Sequence, residues 1–135
     1  MHDSYLQHHI TLLHYLRQLL QALAGADVIP EGHHSFIERY DELIEALQQG
    51  DEDLYLGQEL VSQVFQRYPQ IAHQVPRDLL WFFGGECLHL MPDEEIAGYQ
   101  LLDERRHEAL EQGAAFDWDA EVRLLFMPPA SPTAN

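Results

Sequence analysis

The chain contains no lysine and only one cysteine, Cys87. Without lysine, Schiff-base chemistry and lysine-dependent phosphate loops are excluded. A single cysteine excludes an intramolecular disulfide and is what a reducing compartment predicts. Serine occurs only at Ser4, Ser35, Ser62 and Ser131, so hydrolase chemistry has almost no candidate nucleophile. No Gly-x-Gly-x-x-Gly or Gly-x-Ser-x-Gly element is present. Long apolar runs are missing too, and the longest, Leu79 to Phe83, is far too short to cross a bilayer. Met1-His2-Asp3-Ser4 has no basic cluster, so no secretory signal is read there and a cytoplasmic location is expected. No stretch alternates as a strand would, and neither Asn-Gly nor Asp-Gly hairpin turns occur.

Positive charge is scarce. Seven arginines stand against 23 aspartates and glutamates, leaving a formal charge of −16 with histidine neutral. A field of that sign repels phosphate backbones and anionic lipid, so neither nucleic acid nor membrane is expected as a partner. It keeps a small protein soluble and attracts basic protein partners. The 135 residues are one domain's length, and 46% of them are apolar, enough for a core without disulfide or structural metal.

What is present is helical periodicity. Leu6, Ile10, Leu13, Leu16, Leu20 and Leu23 draw one stripe on a first helix from Ser4, with Ser4-x-x-Gln7 as its capping box and Gly25 as its stop. A second helix opens near Ser35, with Glu38 as capping partner, carries Phe36, Tyr40, Leu43 and Leu47 beside Ile37 and Ile44, and stops at Gly50. Asp51-Glu52-Asp53 suits the positive end of a third, bearing Leu60, Val61, Val64, Phe65 and Tyr68. Pro69 ends it and starts a short fourth, reaching Val75-Pro76. The segment from about 77 to 90 is apolar on nearly all sides and is read as the buried central helix. Pro92-Asp93-Glu94-Glu95 starts a sixth, with Ile96, Tyr99, Leu102, Ala109 and Leu110 inward and Gly113 as its stop; Asp117 caps a last one carrying Trp118, Val122 and Leu125. The prediction is an all-α bundle of six or seven helices in a single domain over residues 1–126, with a Pro-rich tail over 127–135.

The stretch Arg77-Asp78-Leu79-Leu80-Trp81-Phe82-Phe83-Gly84-Gly85-Glu86-Cys87-Leu88-His89, with Met91-Pro92-Asp93-Glu94-Glu95-Ile96, resembles the signature of an uncharacterised family of small acidic proteins from Pseudomonas-like bacteria. The resemblance implies a bacterial, cytoplasmic, all-helical protein. It implies no activity.

Glu-x-x-His puts a carboxylate and an imidazole on one helix face, and paired copies build the di-iron sites of ferritin-like bundles. Three copies occur: Glu86/His89, Glu104/His107 and Glu31/His34. Chance supplies about one. If the helices bearing the first two form a hairpin near Met91, the pairs lie on the order of 16 Å apart, too far for one binuclear centre. His8-His9 and His33-His34 are adjacent, and neighbours on a helix do not face each other. With no His-Glu-x-x-His and no cysteine pair, neither metal nor cofactor is expected, and the histidines read as surface or satisfied core groups. Cys87 and His89, about 200° apart on a helix, do not make a nucleophile and base, so Cys87 reads as buried and inert.

Gly84-Gly85 stands out. Two glycines inside a helix cost about 2 kcal/mol against alanine. Either another helix approaches closely there, or a ligand or partner lies against exposed backbone. Arg77, Asp78, Trp81, Gly84, Gly85, Glu86 and His89 form the candidate binding surface, with Arg77 able to stack on Trp81 and a buried Glu86 needing a partner. Two functions follow. The favoured one is a non-enzymatic protein-interaction or regulatory domain, self-associating or meeting a basic or apolar partner. The other is a small metal- or ligand-binding protein, or an enzyme, using Glu86 and His89. They differ in whether Glu86 and His89 line a solvent-reachable cavity or sit packed with an arginine on Glu86.

Overall fold

The computed structural model describes residues 4–23, 30–51 and 54–126. Six α-helices and two 3-10 segments account for most of them, and no strand occurs among the described residues. The chain is all-α, as its periodicity predicts. Gly25, Glu52-Asp53 and the tail over 127–135 lie outside the described residues.

The contacts divide the chain into two compact units, Met1–Met91 and Pro92–Asn135. In the first, α1 (Ser4–Ala22) buries Ile10, Leu13, Leu16 and Leu20. It packs on α2 (His33–Gln48), which buries Phe36, Tyr40, Leu43, Ile44 and Leu47. The stripes were legible because residues three and four apart share a helix face. The buried Tyr40 hydroxyl donates to the Leu13 carbonyl at 2.7 Å, and Arg17 grips Asp41 at 2.7 and 3.1 Å. The start of α2 differs from the sequence reading. It begins two residues before Ser35, with Gly32 in the cap position and no side-chain cap. His33 displaces the expected start because its own ring is buried, its Nδ1 2.9 Å from the Tyr68 hydroxyl.

α3 (Leu54–Arg67) ends before Pro69, and a 3-10 turn (Ala72–Gln74) replaces the expected short helix. The 77–90 segment is not one helix. α4 (Arg77–Phe83) stops at Gly84, and a 3-10 segment (Gly85–Leu90) follows. Gly84 has φ 64° and ψ −149°, and Gly85 has φ 53°. A side chain at either position would be strained, whereas glycine adopts such angles readily. The double glycine is therefore a break and not a tolerated interior pair. α4 still holds the apolar centre of this unit: it packs against both α1 and α3 and buries Leu79, Leu80 and Phe83. The close helix approach expected at Gly84-Gly85 is found elsewhere, at Gly57 of α3, where the Phe83 ring occupies the space a Cβ would need.

In the second unit, α5 (Asp93–Glu111) opens on Asp93, Glu94 and Glu95 and buries Tyr99 and Leu102. Leu110, read as inward, is exposed. Ala114 N–H donates to the Ala109 carbonyl at 2.8 Å around Gly113, closing the helix. Asp117 caps α6 (Trp118–Phe126) as read, its Oδ1 accepting from Ala120 N–H at 3.2 Å. The Tyr99 ring lies 6.2 Å from Trp118 and 4.7 Å from Phe126.

Candidate functional site

The break at Gly84 decides where the candidate residues go. A 3-10 segment turns once every three residues, so positions three apart eclipse. Cys87 faces inward, fully buried, while Glu86 and His89 share the outward face, each side chain 80% exposed and 4.0 Å from the other. Glu86 is therefore not the buried carboxylate that a continuous helix would have made it, and it is met by His89, not by an arginine.

The segment is stitched to α3. The Gln58 amide donates to the Phe83 carbonyl at 2.9 Å, satisfying an end of α4, and Cys87 Sγ lies 3.8 Å from the Gln58 carbonyl and 3.9 Å from Ser62 Oγ. Burial pushes the Cys87 thiol above its ordinary pKa, with the Ser62 hydrogen bond only partly opposing it, so it stays protonated and unreactive. Outside this seam lies an open groove of about 910 Å³. One wall is a face of α3 at helical spacing: Tyr55, Glu59, Ser62 and Gln66; the other is Gly85, Glu86, His89 and Leu90. Tyr55 is 86% exposed. Glu59 is held by Arg39 of α2 at 2.9 Å, and that guanidinium keeps its carboxyl below the usual range.

The structure thus brings Gly85, Glu86 and His89 together and sends the rest of the candidate surface elsewhere. Arg77 donates to the Leu90 carbonyl at 3.0 Å, tying the start of α4 to the end of the 3-10 segment, and Trp81 is half-buried. Asp78 is buried and turns toward α1, its Oδ2 2.7 Å from His8 Nε2. Beside that pair lies His9, fully buried, its Nδ1–H donating to the Tyr5 carbonyl at 2.7 Å and its ring stacked on Phe82 at 4.5 Å. One ligand atom from each of His8, His9 and Asp78 falls within 4.8 Å of the others, the one such cluster of three among the described residues.

On the sequence alone, His8 and His9 do not read as a ligand pair, because neighbours on a helix diverge by about 100°. In the fold the two rings nonetheless lie edge to face with centroids 4.9 Å apart, and a third ligand from another helix can serve both. The adjacent pair at helical positions whose neighbours Leu6, Ile10 and Leu13 form the core stripe was the available signal. In the other unit, Glu104 and His107 are both exposed, and His107 has Asp103 at 3.9 Å. No described helix is long and apolar enough to cross a membrane.

A family model described as PA2817-like matches residues 1–134, so the chain belongs to that family. The match is consistent with the resemblance carried by Arg77 to Ile96 and covers nearly the whole chain. No curated protein and no solved structure is similar to the chain.

Proposed function

We propose that this PA2817-like protein is a non-enzymatic interaction domain that receives a basic segment of a protein partner in the groove between α3 and residues 85–90. The observation behind this reading is the groove itself, with an almost fully exposed tyrosine at one end and the Glu86 carboxylate on its rim. An exposed aromatic gives a partner an anchor with a small entropic cost, and acidic rim groups in a chain of −16 attract arginine or lysine beside it. The groove's polar residues are mainly glutamines and glutamates, which suit hydrogen bonding to a peptide backbone better than bond cleavage. The thiol beneath it is buried and protonated. Two copies of so acidic a chain repel one another, which favours a partner of opposite charge over self-association.

Glu86 and His89 do line a solvent-reachable groove, the arrangement that a ligand-binding protein would also need, but the pair serves recognition in this reading. Two widely exposed groups 4.0 Å apart offer only two ligands to a metal and no shielded environment for proton transfer.

The test is a photo-crosslinking residue placed at Tyr55 or Glu86 in the native host, followed by sequencing of the crosslinked partner segment. The expected product is a segment bearing arginine or lysine, lost when Glu86→Arg is combined with Tyr55→Ala in a protein of unchanged thermal stability. Crosslinks to the chain itself would show self-association instead. Equal capture by the double variant would overturn the reading.

A further inference from the structure

We propose that His8, His9 and Asp78 form a binding site for a divalent first-row transition ion of the zinc class. The site lies where α1 meets α4, away from the groove residues, and it is independent of the partner reading.

Three features support it. The donor set is right: two imidazoles and one carboxylate are the ligands that borderline ions such as Zn²⁺ take, with one position left for water. The geometry is near: tetrahedral coordination at zinc's usual bond lengths separates ligand atoms by about 3.3 Å. The His8–Asp78 contact of 2.7 Å needs to open slightly, and the other separations, all within 4.8 Å, need to settle at that spacing. Both movements fall to the His8 and Asp78 side chains, which keep some exposed surface, and the ion would replace the proton they share. The surroundings are prepared: His9 gives its Nδ1–H to the Tyr5 carbonyl, which fixes the tautomer and leaves Nε2 with the lone pair that a metal accepts. Phe82, stacked on the His9 ring, and Tyr5, 4.5 Å from it, supply an apolar wall.

The cluster is reachable from solvent. His9 is fully buried, but the His8 and Asp78 side chains keep 18% and 11% of their surface, so the open position faces solvent through their edge. This separates the cluster from Glu86–His89, where exposure leaves nothing to hold an ion against water.

The experiment is calorimetric titration of the full chain with Zn²⁺, paired with the visible spectrum of the Co²⁺-loaded protein. We expect one dominant site per chain and the intense bands of four-coordinate cobalt without thiolate charge transfer. His8→Gln and Asp78→Asn should each weaken that site by at least about 10-fold, whereas His89→Gln and His107→Gln should leave it unchanged. His8→Gln alters the most accessible ligand and carries the test if Asp78→Asn folds poorly. Undiminished binding in His8→Gln, absence of a dominant site, or the weak bands of six-coordinate cobalt in the unaltered protein would overturn the proposal, leaving scattered binding by exposed histidines.

Discussion

Two carboxylate–imidazole pairs flank the double glycine, and they are chemically the same and physically opposite. Asp78 and His8 meet at 2.7 Å with little surface exposed. Glu86 and His89 stand 4.0 Å apart with 80% of each side chain in water. In water, high dielectric and side-chain entropy leave such a pair nearly without effect on stability. Taken out of water, the same groups become costly to separate, because a lone buried charge has nothing to replace its hydration. Exposure therefore separates what each pair can do: under the two proposals the outer pair meets a partner and the inner one offers a shielded donor set, while in the fold the inner one joins α4 to α1.

The comparison predicts a hierarchy of effects. Asp78→Ala should cost the most, about 3 kcal/mol, because it removes the buried partner of His8 and a first-turn acid of α4; chemical denaturation measures it, and a loss below about 1 kcal/mol would erase the contrast. Gly57→Ala should come next, at about 1–3 kcal/mol, since the Phe83 ring must move although alanine is the better helix former. A gain in melting temperature would show that α3 and α4 separate easily.

A third imidazole sharpens the comparison through pH. Burial, reinforced by the neighbouring His34, holds His33 below its ordinary pKa. The unfolded chain then takes up a proton near pH 6.5 while the folded one does not. His33 should therefore lower stability as pH falls from about 6.5 toward its depressed folded value and contribute no slope above neutrality. Subtracting the denaturation profile of His33→Gln isolates this contribution; identical slopes would show that His33 takes up its proton equally in the folded and unfolded chain. The smallest effect belongs to Glu86→Ala, within about 0.5 kcal/mol of the unaltered protein by thermal melting. A larger loss would mean the groove's rim is structural.

Gly85→Leu, which on the sequence alone distinguishes close packing from a binding surface, does not do so in this fold. At φ 53° any side chain is strained, and a Cβ would also meet the Gln58 amide, so lost stability is expected under either reading. Tyr55 and Glu86 separate stability from binding where the glycine does not.

Much of the fold was legible because helix faces repeat at a fixed interval. The stripes of α1 and α2, the stop at Gly50, the acidic opening of α5 and the Asp117 cap each rest on groups within about four residues. The break in 77–90 is written in Gly84-Gly85, but apolar residues on all sides suggest a continuous buried helix in which the two glycines serve either close packing or a binding surface. The break moves Glu86 from the core to the surface. Of the candidate surface, Gly85, Glu86 and His89 came together, while Asp78 joined His8 and His9, residues 69 and more positions away in the chain.

The sequence by itself determined that this protein is helical, strongly acidic and poor in nucleophiles, because composition and short-range periodicity act within a few residues. Only the tertiary structure decided that α3 forms a groove with residues 85–90, that Gly57 is where two helices touch, and that Asp78 of α4 lies beside two adjacent histidines of α1. Those facts depend on which helix lies against which, and no interval along the chain encodes the rotation of one helix about another.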